Sequence, residues 1–268
     1  QVERETSEQT LAWGIEIDTR EDIFALPELK FQKAQWLLSQ PEYRWGNKRI
    51  TRLAVQLLRG NLTYWCIVCP SLRPELASVD RLLAGNQESE YIEDIPHEDW
   101  ERFWASMEVL RVVVSDVNNW RNTFTQKSSG VLTTAERMAI PTEKERMIWA
   151  GGDATKEKVA GIDWNGKVFL ADDVEVYYRL LRERVPDASE EIIIALAELL
   201  CLMVLATARG HAWANRIVLY VSDNQNVVVW LNKRYSKVPA VQALLRLLGI
   251  MEARLGFSVV STYVRTWR

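Results

Sequence analysis

The chain of 268 residues is 48% hydrophobic and carries 33 Lys+Arg against 36 Asp+Glu, a net charge of −3. That is enough apolar material for one large domain or two ordinary ones, and the charge balance argues against a strongly basic nucleic-acid binder taken as a whole. Three cysteines, an odd number, exclude a closed disulfide set and point to a reducing, intracellular compartment, cytoplasm or nucleus. The longest apolar run, Ile192 to Ala206, is shorter than the roughly 20 residues that span a bilayer and is broken by Glu198, so it reads as a buried helix and no membrane partner is expected. Gln1 to Gln9 is polar and charged, with no secretory segment, and the chain begins as if cut from a longer one.

The charge is uneven. Residues 147–268 hold 15 Lys+Arg and 13 Asp+Glu, residues 1–146 hold 18 and 23, and much of that acidity lies in Glu88 to Glu101. In chain order, residues 10–26 alternate as two strands of a hairpin, with Asp18 to Asp22 as the turn. Pro27 opens a helix over Glu28 to Leu38, with Leu29 and Trp36-Leu37 on an apolar side and Lys30 and Lys33 on a cationic one. Gln40-Pro41 ends it. A second helix, Ile50 to Cys66, carries Leu53, Leu57, Leu58, Leu62 and Trp65 at helical spacing, with Arg49, Arg52 and Arg59 interspersed. Cys66 and Cys69 share a C-x-x-C spacing, but there is no second pair and only His97 and His211 for partners, so two buried thiols are expected and a zinc site is not. Pro70 and Pro74 bracket a break before a short helix, Glu75 to Leu83. Gly85 to His97 reads as an acidic, solvated loop. Trp100 to Val117 is helical, Asn118 to Thr134 irregular, and Ala135 to Glu145 a connector at which a domain boundary falls.

From Met147 strands and helices alternate. Met147 to Ala150 leads into Gly151-Gly152-Asp153. Val159 to Trp164 and Lys167 to Leu170 follow as strands around an Asn165-Gly166 turn, then a helix over Val176 to Arg184, the apolar helix from Ile192 to Ala208, a strand over Ile217 to Val221, helices from Val227 and over Ala240 to Leu255, and a last strand, Phe257 to Val264. The expected organisation is a hairpin and helical region over 1–84, an acidic loop, helix and connector over 85–146, and an α/β domain over 147–268.

Three carboxylates stand out. Asp223 sits where a buried-strand pattern stops, and the carboxyl edge of an open α/β sheet is where ligands bind. Its plainer reading is part of the cap of the helix that follows. Glu198 is the only ionisable residue in its apolar run, and a buried carboxylate costs several kcal/mol unless paired or bound to metal. Arg209 or Arg216 would be its partner in a purely structural role. Asp153 ends or interrupts its strand behind two glycines. If the helix crosses the sheet the three converge, and clustered carboxylates suit Mg²⁺ or Mn²⁺, two of which about 4 Å apart clamp the attacking and leaving oxygens of a phosphodiester.

The order GGDAT, ALAELL and YVSDNQNVVVWLNK resembles the ribonuclease H-like domain of retroelement reverse transcriptases. The resemblance covers about residues 147–268 and implies a mixed five-stranded sheet with helices. It also implies two divalent ions on Asp153, Glu198 and Asp223, an RNA–DNA hybrid as partner and hydrolysis of its RNA strand. LAWGIEID followed by LPELKFQKA resembles the primer-gripping hairpin and the start of the thumb in retrotransposon polymerases of the tyrosine-recombinase type, and RITRLAVQLLRGNLTYWCIVCPSLRPEL resembles the next thumb helix and connection. This places Trp13, Lys30, Lys33, Arg49, Arg52, Arg59 and Asn224 against nucleic acid, the cations as backbone contacts, although solvated helix faces account for them equally. The palm, with its paired aspartates, is not in these residues, so no polymerase activity is expected without the palm and fingers of a polyprotein. Family members carry a fourth carboxylate after the last strand, and this chain reaches Thr266-Trp267-Arg268 before that position. A catalytically weakened binding or scaffold module is therefore the alternative to a nuclease, and a related nuclease acting on DNA is a third reading.

Overall fold

The structure, a computed structural model, describes residues 9–20, 23–84, 89–123, 147–173 and 175–265. It divides into two compact units, residues 1–128 and 129–268. Asp22 of the expected turn, the first four residues of the acidic loop, the stretch 124–134, the connector 135–145 and the final Thr266-Trp267-Arg268 lie outside the described residues.

In the first unit, β1 (Gln9–Ala12), β2 (Ile15–Asp18), β3 (Ile23–Ala25) and β4 (Arg121–Thr123) form an antiparallel sheet in that order. Residues 10–26 thus hold three strands where two were expected. Trp13 and Gly14 adopt φ of 52° and 77°, the paired left-handed conformations of a two-residue hairpin turn, and Ala12 pairs with Ile15 across it. β4 falls in a stretch expected to be irregular: three polar residues carry no alternation, and the strand exists through its pairing with β3.

Helix α1 (Glu28–Ser39) follows Pro27 and ends at Gln40. Its buried face is Phe31, Ala34 and Leu38, and Leu29 and Trp36, expected inside, are exposed. The hydroxyl of Thr51 caps α2 (Arg52–Val68), accepting the Ala54 N–H at 3.2 Å. α3 (Arg73–Leu83) takes Pro74 in its first turn, and α4 (His97–Val114) completes the unit. Leu58 and Leu62 of α2, Val79 and Leu82 of α3, and Phe103 and Met107 of α4 are wholly buried, whereas Leu53 and Leu57 face outward. Cys66 and Cys69 are buried free thiols. The acidic loop is partly pinned rather than solvated throughout: Ile92 is buried, its N–H donates to the Ile50 carbonyl, and the Arg52 N–H donates to the Glu90 carbonyl.

The second unit is α/β, a mixed five-stranded sheet with helices, as the ribonuclease H-like resemblance implies. Its strands are β5 (Met147–Ala154), β6 (Lys158–Asp163), β7 (Val168–Asp173), β8 (Ile217–Ser222) and β9 (Ser258–Tyr263), in the order β7-β6-β5-β8-β9. β6 runs antiparallel to both β5 and β7, and β8 runs parallel to both β5 and β9. The Asn165-Gly166 turn is a four-residue loop, 164–167, in which Lys167 takes the positive φ of 51°. Asn165 serves instead as a side-chain acceptor for the Trp149 N–H at 2.7 Å.

Around this sheet lie α5 (Glu175–Arg184), α6 (Glu190–Arg209), α7 (Gln225–Lys233) and α8 (Pro239–Leu255). By length and composition Glu190–Trp213 is apolar enough to cross a membrane. In this unit Leu196, Leu199, Leu202 and Leu205 are fully buried in one core with Ile148, Ala150, Val218 and Tyr220 of the sheet, which accounts for that hydrophobicity. The end of α6 is fixed by polar bonds: Arg209 Nε and Trp213 Nε1 donate to Oδ2 of buried Asp163 at 3.1 and 3.0 Å.

Candidate metal centre

The topology delivers two carboxylates to one place. β5 and β8 are parallel neighbours with Gly151 opposite Val221, and Asp153 and Asp223 each lie two residues further on. A strand's side chains alternate with period two, so both emerge on the same side at the same carboxyl edge. The third comes from α6, which approaches the sheet closely because residue 152 is glycine: a Cβ there would fall 2.4 Å from the Tyr220 hydroxyl and 2.7 Å from Cys201 Cβ. One carboxylate oxygen from each of Asp153, Glu198 and Asp223 lies within 4.8 Å of the other two, so the three are placed to hold a metal ion.

Their environments differ. Asp153 and Asp223 are exposed, while Glu198 is only 4% exposed. Both of its oxygens take a donor: Ser222 Oγ donates to Oε2 and Asn224 Nδ2 to Oε1, each at 3.1 Å. Arg209, one structural partner considered for it, pairs with Asp163. Burial pushes the Glu198 carboxyl up to about 7; the Ser222 and Asn224 bonds oppose the shift, and the charges of Asp223 and Asp153 add to it. A hard, all-oxygen donor set whose buried member resists ionisation in the company of two carboxylates fits a divalent cation. The Cys201 thiol donates to the Asp153 carbonyl at 3.1 Å and the Tyr220 hydroxyl to the Glu198 carbonyl, also at 3.1 Å. Burial raises the Cys201 thiol to about 12, which makes it an inert filler of the helix–sheet contact. A cleft lined by Gly151, Trp164, Phe169, Val264 and Arg265 runs up to Asp153 and Asp223.

The residues expected against nucleic acid separate into groups. Trp13 sits at the tip of the β1–β2 turn and is 92% exposed. Lys30 Nζ lies 5.6 Å over the ring of Tyr64, whose hydroxyl donates to the Gly14 carbonyl at 2.5 Å, so Trp13 and Lys30 belong to one corner of the first unit. Sequence reasoning passed over Tyr64, which holds that corner; its place at a half-buried helical position carries no local signal. Lys33 is exposed on α1, and Arg49 lies 5.2 Å over the Tyr91 ring. Arg52 and Arg59 are engaged within the protein: Arg52 Nη1 donates to the Leu83 carbonyl at 3.0 Å and Arg59 pairs with Asp80 at 2.5 Å. Asn224 has both polar ends of its side chain occupied, one by Glu198 and the other by the Asn226 N–H at 3.0 Å.

No protein-family model and no curated protein matches the chain. Among solved structures it is similar to the foamy viral protease-reverse transcriptase dRH in complex with double-stranded DNA, at 11% identity over 98% of this chain and 38% of that one, with a TM-score of 0.33. The foamy viral protease-reverse transcriptase in complex with an RNA/DNA hybrid aligns at 12% identity over 97% of this chain and 30% of that one, TM-score 0.33. The same protein with double-stranded DNA aligns at 11% over 97% and 45%, TM-score 0.32. The chain spans less than half the length of each of these proteins.

Proposed function

We propose that the second unit is a ribonuclease H-type nuclease of a retroelement reverse transcriptase, hydrolysing the RNA strand of an RNA–DNA hybrid with Mg²⁺ or Mn²⁺ held by Asp153, Glu198 and Asp223. The observation that carries the reading is the approach of their three oxygens to within 4.8 Å at the carboxyl edge of two parallel strands. Divalent ions bound there would neutralise phosphate charge and activate water for attack on phosphorus. The protein's own part is positioning. Asp153 and Asp223 present solvent-facing oxygens at the rim of the cleft, Glu198 closes the cluster from the α6 side, and Arg265 supplies a cation in the same cleft for a phosphate. The hybrid would be read by shape and 2′-hydroxyl contacts. Residues 1–84 are proposed as the primer-grip hairpin and thumb or connection region, with Trp13, Lys30, Lys33 and Arg49 toward the nucleic acid, within an intracellular polyprotein that supplies palm and fingers.

The test is cleavage of a hybrid labelled in its RNA strand, with Mg²⁺ or Mn²⁺, by this chain and by its Asp223→Asn variant. Metal-dependent RNA cleavage lost in the variant is the expected result. Cleavage of duplex DNA instead would assign a different nuclease, and hybrid binding without any cleavage would overturn the catalytic reading in favour of a binding module.

A further inference from the structure

Resting on that reading of the carboxylates, we propose that Ser222 and Asn224 form a brace that fixes Glu198 for metal binding, and that Asn224 is a positioning residue of the metal centre rather than a nucleic-acid contact. Ser222 ends β8 and is buried. Its hydroxyl donates to Glu198 Oε2 at 3.1 Å and accepts the Asn224 N–H at 3.0 Å. Asn224 is the N-cap of α7, its Oδ1 accepting the Asn226 N–H at 3.0 Å, and its Nδ2 donates to Glu198 Oε1 at 3.1 Å. The amide can face only one way, because its oxygen must meet the Asn226 N–H and its nitrogen the carboxylate; the reverse would set donor against donor and acceptor against acceptor. The cap of one helix thus orients a carboxylate on another.

Each Glu198 oxygen receives one donor from the brace. A carboxylate oxygen has two lone-pair directions, so one remains on each for a cation while the rotamer is held. Freezing a long acidic side chain before the ion arrives removes an ordering cost from binding, and partners that orient a ligand change metal affinity by about 10- to 100-fold when removed. Asp223 stands between the two brace residues and faces the other way, so Ser222-Asp223-Asn224 supplies one ligand and holds a second.

Asn224→Ser separates the brace from the cap, because serine caps a helix about as well as asparagine but is too short to reach Glu198. The measurement is Mn²⁺ binding to the full chain, by titration with detection of free Mn²⁺ by electron paramagnetic resonance, alongside the urea midpoint without metal. Expected is Mn²⁺ binding roughly tenfold weaker than wild type, with the urea midpoint lowered by no more than the loss of one hydrogen bond accounts for. Ser222→Ala, which removes the other arm, should weaken binding similarly, and this second variant decides the matter if Asn224→Ser fails to fold. Wild-type affinity in both variants would overturn the brace and leave the metal reading standing. Absence of Mn²⁺ binding by the wild-type chain would overturn the metal reading and the brace with it.

Discussion

Replacing Glu198 by glutamine should stabilise the metal-free protein at neutral and higher pH and destabilise it at about pH 4. Burial raises the Glu198 carboxyl from 4.5 to about 7 in the native state, a difference corresponding to about 3 kcal/mol. Between those two values the unfolded chain has released a proton that native Glu198 still holds, so stability falls as pH rises across the window, and the loss is complete above about 7. Glu198→Gln removes this titration. It retains one acceptor oxygen where the carboxylate has two, so either Ser222 Oγ–H or Asn224 Nδ2–H loses its partner, at about 1 kcal/mol. The variant is therefore expected to be about 1 kcal/mol less stable than wild type near pH 4 and about 2 kcal/mol more stable near pH 8. Urea unfolding in a chelating buffer at the two pH values measures both. Adding Mn²⁺ at about a hundred times its dissociation constant should raise wild-type stability by about 2.7 kcal/mol and leave the variant unmoved. A variant destabilised equally at both pH values would refute the reasoning, since it would mean that Glu198 ionises without penalty.

Gly152→Ala places a methyl group 2.4 Å from the Tyr220 hydroxyl and 2.7 Å from Cys201 Cβ, so α6 must shift. A loss of about 1–3 kcal/mol in urea unfolding is expected, with weakened Mn²⁺ binding as Glu198 moves; unaltered stability would show that the helix has slack. Asp163→Ala strips the acceptor from Arg209, Trp213 and the Gly166 N–H, an expected cost of about 3–5 kcal/mol by the same measurement. Burial pushes the Asp163 carboxyl up, but the bonds from Gly166, Trp213 and Arg209 outweigh it and hold the group below its usual range. Its contribution is therefore full above about pH 4 and disappears as pH falls through the lowered value, so Asp163→Asn should flatten the acid end of the stability profile, and an unchanged profile would contradict this. Trp13→Ala removes a 92% exposed side chain, and its unfolding midpoint should stay within about 0.5 kcal/mol of wild type. Hybrid binding should weaken at least fivefold if Trp13 stacks on the nucleic acid, and equal affinity would remove it from the interface.

The sequence makes the three carboxylates legible for local reasons. Asp223 follows a β-branched run that stops abruptly, Glu198 is the lone ionisable residue in its apolar stretch, and Asp153 follows two glycines. Residues that hold them in place are legible only in three dimensions. Asp163 meets Arg209 across 46 residues of chain, and Asn224 reads as a cap until α6 is seen to bring Glu198 to its amide. The buried face of α1 differs from the expected one because Leu29 and Trp36 are as well spaced for an apolar stripe as Phe31, Ala34 and Leu38. Packing against α4 decides between them, and local periodicity does not contain that information. β4 is illegible for the same reason, since Arg121–Thr123 becomes a strand by pairing with β3.

The arrangement at the end of β8 rests on alternation, and that can be tested without changing composition. Tyr220, Ser222 and Asn224 all donate to Glu198, so the even positions face α6, while Asp223 between them is exposed with Asp153. Exchanging two residues, Asp223→Asn together with Asn224→Asp, keeps the net charge and keeps a good helix cap, since aspartate and asparagine cap about equally. It nevertheless turns a carboxylate toward Glu198, deletes the Nδ2 donor and replaces an exposed ligand by a neutral amide. If position rather than local charge builds the centre, the exchanged protein should lose Mn²⁺ binding and hybrid cleavage together while its cap keeps α7 folded, as read by circular dichroism. Wild-type Mn²⁺ affinity in the exchanged protein would mean that any acidic group at this strand end suffices, and the alternation argument would fail.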